Sequence, residues 1–406
     1  MKRVIFTAGL LFANMAMASE FEAPRTHAPS ELLADRATGA NYQVADPVHS
    51  DGFLRIYALE TPYGQYRVEG DFFLAMRLKE LAAISALESA EDTETFQTSL
   101  KQALKGPVDL VGDAIDDPGA TVERTVSGVG RLFGRAASAV RNRGKSNENV
   151  AESLLGISRA KREIAVGLGV DPYTDFAPLA DRLEKAAQVS AAGSLTVKGL
   201  FALIPGTAGL AVSTASAADG FQDLLRDRTA TELREINRAK LVRAVGEAPV
   251  IDLFLDNPKY TPADQTVVAD ALFKLRSVKN VGGFLTRMTN VSERSLAVFM
   301  RERARLLASY HEQQAALAEI VVLDGFPLSL TGDGTLVGMY PIDDLAWTER
   351  TAGIVSLITD GTARDFPDVD KAFLVTGEAS PLARDNMEAL GWDLAEGVNG
   401  DRRNGD

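Results

Sequence analysis

The chain is predicted to be mainly α with a small C-terminal α/β domain, its helices forming an irregular bundle or a solenoid-like stack behind an N-terminal β-hairpin. Three observations lead there. A 3.6-residue apolar period recurs through most of residues 147–318, a period-2 pattern appears only near the two ends of the chain, and no cysteine is present to staple a smaller fold.

Residues 1–18 read as a secretory leader. Lys2 and Arg3 precede an apolar run from Val4 to Ala13, and Ala16-Met17-Ala18 forms an A-x-A site before Ser19, so cleavage is expected after Ala18. The run is shorter than the ~20 residues of a bilayer span. Residues 19–50, with Pro24, Pro29 and Pro47 and no sustained period, read as an extended lead-in with at most one helical turn near Glu31–Arg36. The next unit, 51–145, opens with the runs Phe53–Leu59 and Gln65–Val68 around Pro62-Tyr63-Gly64, a hairpin pattern. A helix from about Phe72 through Leu87 follows, with a second segment at Leu100–Leu104.

The end of this unit is the most unusual stretch. Val122, Val126, Val129, Phe133, Ala136, Ala137 and Val140 fall within about 100° of a helical wheel, and Arg124, Arg131 and Arg135 lie opposite within about 40°. The pattern is that of a basic amphipathic helix, and Arg124, Val126, Arg131, Phe133 and Arg135 are the candidates for contact with a membrane or partner.

Residues 146–318 read as a helical domain. Thr229 with Glu232, and Thr261-Pro262-Ala263-Asp264, carry capping signals, and Leu296, Phe299, Met300, Leu306, Leu307 and Tyr310 mark one face of the last helix. Residues 319–396 switch to strands at Ile320–Leu323, Leu328–Thr331 and Leu336–Tyr340, with Gly332-Asp333-Gly334 as a turn. A helix is expected over about Ile342–Ile358, then a strand at Ala372–Val375, a helix opened by Ser380-Pro381 and closed by Gly391, and a strand from Trp392. Residues 397–406 read as a disordered tail.

Composition narrows the function classes. The formal charge of −13 becomes −15 once Lys2 and Arg3 leave with the leader, which opposes binding to nucleic acid. The absence of cysteine removes thiol nucleophiles and Cys-ligated zinc. Residues 139–146 loosely match a phosphate loop, but a helix pattern precedes them where a strand is required, so no nucleotide is expected. Gly128-Val129-Gly130-Arg131-Leu132-Phe133-Gly134 misplaces the third glycine of a dinucleotide fingerprint. His311-Glu312 begins a zinc-helix motif, yet Ala315 stands where its second histidine belongs. Gly156-Ile157-Ser158-Arg159-Ala160 lacks the last glycine of a nucleophile elbow. Asp365, Asp368 and Asp370 fit no calcium-loop spacing. No cofactor and no metal are expected.

Carboxylates are the remaining catalytic currency. Asp343, Asp344 and Glu349 cluster near Trp347, where two acids could divide acid and base roles, although acids at a helix start also serve its dipole. Residues 199–218 hold no charge and have about the length of a bilayer span, but Pro205-Gly206 breaks them and few side chains are large. The function expected is therefore an exported, non-enzymatic interaction or scaffold protein with an envelope protein or a membrane surface as its partner. The alternative is a carboxylate-dependent hydrolase of an envelope polymer.

Overall fold

A computed structural model describes residues 20–103, 147–205 and 216–398. Helices dominate in a mixed α/β architecture, with an antiparallel sheet at the N-terminal end and a mixed sheet at the C-terminal end.

The N-terminal sheet has six strands: β1 (Thr26–His27), β2 (Thr38–Gly39), β3 (Tyr42–Val44), β4 (Val48–Ser50), β5 (Arg55–Thr61) and β6 (Gly64–Glu69). Strands β5 and β6 form the expected hairpin, with Thr61 opposite Gly64 and Ile56 opposite Glu69. Tyr57 and Leu59 of β5 point inward while Ala58 and Glu60 face solvent, the period of two that made this strand readable. The other edge of β5 pairs with β3 and β4, and β4 carries β1. Residues 19–50, expected as an extended lead-in, thus supply four strands and the short helix α1 (Pro29–Leu33). Those strands are two or three residues long, too short for alternation to register as a pattern.

Helix α2 (Asp71–Glu91) follows at once, burying Phe73, Leu74, Leu81, Ile84 and Leu87 along one face. It shares an apolar core with α3 (Glu94–Ala103), α4 (Asn147–Gly167), α5 (Ala177–Ala191) and α6 (Val197–Leu203). After α7 (Ser216–Asp227), a second core gathers α8 (Ala230–Val245), α9 (Pro249–Leu255), α10 (Pro262–Lys274), α11 (Val281–Thr289) and α12 (Arg294–Gln313). Both expected capping boxes are present: Thr229 with Glu232 opens α8, and Thr261 with Asp264 opens α10.

The C-terminal sheet runs β13-β11-β9-β8-β7, from β7 (Leu317–Leu323), β8 (Phe326–Thr331), β9 (Leu336–Tyr340), β11 (Lys371–Val375) and β13 (Trp392–Ala395). The first three form an antiparallel meander; β9, β11 and β13 are parallel, joined through α13 (Glu349–Asp365) and α14 (Pro381–Ala389). All of β9 is buried, because Val337 and Met339 face the second helical core while Leu336 and Tyr340 face a third core beneath α13 and α14. Two short parallel strands, β10 (Asp344–Leu345) and β12 (Glu378–Ala379), lie just past the C-terminal ends of β9 and β11. The helix expected from Ile342 begins at Glu349, because residues 342–346 bond to other parts of the chain. The backbone N–H groups of Asp343 and Asp344 donate to Phe53 O, and that of Ala346 to Gly52 O.

Arg124, Val126, Arg131, Phe133 and Arg135 lie outside the described residues, as do the loop at 139–146, the glycines at 128–134 and the tail from 399. The uncharged stretch is described in part: Val197–Leu203 is helical and capped by Thr196, and residues 206–215 lie outside. Among the described residues no helix is long and apolar enough to cross a membrane.

Candidate functional site

Of the three acids singled out above, the fold buries two. Asp343 and Asp344 are 2% and 0% exposed, at the point where β9 has ended and the N-terminal sheet docks, whereas Glu349 opens α13 in solvent. The structure does not gather the three in one cleft.

Asp343 acts on a helix more than 270 residues away. Helix α2 starts after Gly70, which has no side chain to cap it. Asp343 Oδ2 takes that place, accepting hydrogen bonds from Asp71 N (3.1 Å) and from Arg55 N (3.2 Å). The Asp71 carboxylate lies alongside, held by Arg55 Nη1 at 2.6 Å and by the Tyr57 hydroxyl at 2.5 Å. Burial and then the neighbouring Asp71 charge push the Asp343 carboxyl up to about 8, against the opposing pull of the two N–H groups and Arg55. Burial and the same Asp71 raise the Tyr57 phenol.

Asp344 faces the segment before the sheet. It pairs with the Arg25 guanidinium and lies 3.2 Å from His27 Nε2. A carboxylate paired with arginine can only accept, which places the imidazole hydrogen on Nε2. Burial, with Arg55 and Arg25 adding to it, lowers the His27 pKa, so this ring is neutral at neutral pH.

Space here is minimal. The cavity beside Asp343, lined by Leu54, Gly70, Phe73, Val298 and Phe299 among others, has a volume of about 10 Å³. That is room for roughly one water molecule. A polymer chain cannot reach these oxygens without parting the N-terminal sheet from the C-terminal one.

A second charged cluster joins the two helical cores. Asp264, 1% exposed, is gripped by Arg294 Nη1 at 2.7 Å and Arg301 Nη1 at 2.8 Å. Burial alone would raise its pKa, but Arg301 and Arg294, with the Thr261 N–H, reverse the sign and hold it below the usual carboxylate range. Thr261 Oγ1 also donates to Asp171 Oδ2 at 2.6 Å. Burial and the charge on Asp264 push that carboxyl up to about 7. Close by, the Arg77 guanidinium bonds Glu80 at 2.7 Å and stacks 4.1 Å from the Phe176 ring.

The remaining motifs resolve into structure. His311 Nδ1 accepts the Leu317 N–H at 2.9 Å, turning the chain from α12 into β7. Ser158 lies within α4 and takes a 2.8 Å bond from Arg162. Asp365 pairs with Arg364 at 3.0 Å. Trp347 is a core residue. Among the described residues no group of three or more histidine or acidic side chains could hold a metal ion. An open depression of about 550 Å³ is lined by Asp370, Lys371, Trp392 and Asp393. It lies at the N-terminal ends of the parallel strands, opposite the edge where such sheets bind ligands.

Arg25, His27, Arg55 and Asp71 were missed by sequence reasoning because nothing local marks them. The one available signal is negative: α2 begins without a Ser, Thr, Asp or Asn at its N-cap, so a remote acceptor has to supply the bond. Comparison of the chain with family models, curated proteins and solved structures finds no match.

Proposed function

We propose that the chain is an exported, non-enzymatic envelope protein that works by presenting surfaces to another protein, with peripheral membrane contact through the basic face of residues 122–141. One observation carries the reading. The acids that a hydrolase would need, Asp343 and Asp344, are spent on tying the two ends of the chain together, around a space of about 10 Å³. The leader-like residues 1–18, a charge of −13 and a lack of cysteine fit an extracytoplasmic protein held by packing alone. The irregular helical bundle offers the broad outer surface that such a role requires.

Fractionation of cells making the native chain, with membranes washed in high salt and then carbonate, tests this proposal. Recovery outside the cytoplasm, with release by salt or carbonate, is the expected result. Retention in the cytoplasm contradicts export, and hydrolysis of envelope polymer that disappears in an Asp343→Asn, Asp344→Asn double variant would replace this reading with the hydrolase.

A further inference from the structure

In open α/β sheets the edge at the C-terminal ends of the parallel strands is where ligands enter, because helix N-termini converge there. In this chain that edge is framed by β10, β12 and the starts of α13 and α14, and residues 20–25 of the same chain lie across it on their way into β1.

The contacts of that segment are those of a bound peptide. Glu22 N–H donates to Trp347 O at 2.9 Å, and its carboxylate accepts from both the Trp347 N–H and the Ser380 hydroxyl. Ser380 is the N-cap of α14, and Trp347 immediately precedes Thr348, the N-cap of α13. One carboxylate thus bridges the positive ends of two helices. Three residues further on, the Arg25 guanidinium pairs with the fully buried Asp344, and Phe21 packs against the third core. With the segment in place, Trp347, Thr348 and Ser380 are buried along with Asp344. No residue from 20 to 27 is itself buried, and Arg25 Nε has no acceptor. At its far end the segment runs into β1, which pairs with β4, and Arg25 O accepts the Ser50 N–H at 2.9 Å, while residues 20–25 meet the α/β edge through Phe21, Glu22 and the Arg25 side chain.

We propose that residues 20–25 form a releasable strap, anchored at β1, over a peptide-binding edge, and that this edge takes in its place an extended peptide bearing an aromatic residue, a carboxylate next to it and an arginine three residues after the carboxylate. The inference rests on the reading of the chain as an interaction protein. Its test uses purified protein, so it can fail while the fractionation result stands.

The full chain is titrated against a labelled peptide of residues 19–28, followed by fluorescence anisotropy. A Glu22→Gln, Arg25→Gln variant, in which the strap is loosened and Asp344, Trp347 and Ser380 are kept, binds the peptide at least about tenfold more tightly than the wild type, whose own strap competes. A peptide with the same two substitutions binds neither protein. Absence of binding to the variant, or equal binding of both peptides, overturns the proposal. Hydrogen exchange on the wild type decides the matter if the variant does not fold. The amides of residues 21–23 should exchange about tenfold faster at ~0.5 M than at ~0.05 M salt while those of β11 do not change. Strap amides as protected as β11 at both concentrations overturn it.

Discussion

Two buried aspartates, Asp264 and Asp343, occupy equivalent positions in two seams of the molecule and differ in the charge they carry. Asp264 lies where the helical cores meet, at a junction that Thr261 and Arg294 bridge to Asp171 and Asp175, and it is opposed by two guanidiniums, so it stays ionised. Asp343 joins the N-terminal sheet to the C-terminal one, meets two backbone N–H groups and has another carboxylate beside it, so at neutral pH it holds its proton. Both are nearly inaccessible. Burial therefore does not decide the charge; the neighbours do.

The largest effect that could break this comparison lies at Asp264. Arg301→Met leaves Asp264 and Glu302 short of a cation in a buried site, and urea unfolding should show a loss of about 3–5 kcal/mol. A loss below that of an ordinary surface change would mean that Arg294 alone suffices and that the seam is not an ion-pair lock.

Asp343 should behave in the opposite way. With the folded carboxyl near 8 and the unfolded one near 4, the folded chain keeps a proton that the unfolded chain has released. The stability this group adds is complete below about pH 4 and is lost as pH rises to about 8. Asn can accept the same two N–H bonds without a charge. Asp343→Asn should thus change stability by less than about 1 kcal/mol near pH 4 and become progressively more stable than the wild type, by about 1.4 kcal/mol per pH unit, as pH rises to about 8. Taking the difference between the two proteins cancels the titration of His27 and Asp171. A constant difference across that range would show Asp343 ionised throughout and the contrast with Asp264 wrong.

The smallest effect belongs to Glu349. As an exposed acid in the first turn of α13, Glu349→Gln should alter stability by no more than about 0.5 kcal/mol and leave any measured interaction intact. A large loss there would restore the acidic cluster as a functional unit.

How much of this was legible in the sequence follows from how local each signal is. The boxes at Thr229–Glu232 and Thr261–Asp264 and the Ser380 cap each span a few residues, and all are present. The β5–β6 hairpin and β9 show strand runs long enough to read. The lead-in strands are not readable, since a two-residue strand is defined by its partner and not by its own period. For the candidate site, Asp343 and Asp344 were identified as unusual, but through the helix after them. Their partners Asp71, Arg55, Arg25 and His27 come from the opposite end of the chain, a juxtaposition that only the folded structure makes. The reading of Glu349 as a helix-start acid is the one part of that cluster that local rules describe fully.

The claim that Asp343 and Asp344 fasten the chain ends together is tested most directly at Asp344, by hydrogen exchange on Asp344→Asn. Removing the charge that Arg25 and His27 share should raise exchange together at residues 22–27 and 343–347, with a global loss of about 1–3 kcal/mol, its lower end favoured because Arg25 and His27 reach solvent. Helix α10 in the other seam should keep its wild-type protection. Unchanged exchange in both segments would contradict the account, because Asp344 would then be buried without holding anything in place.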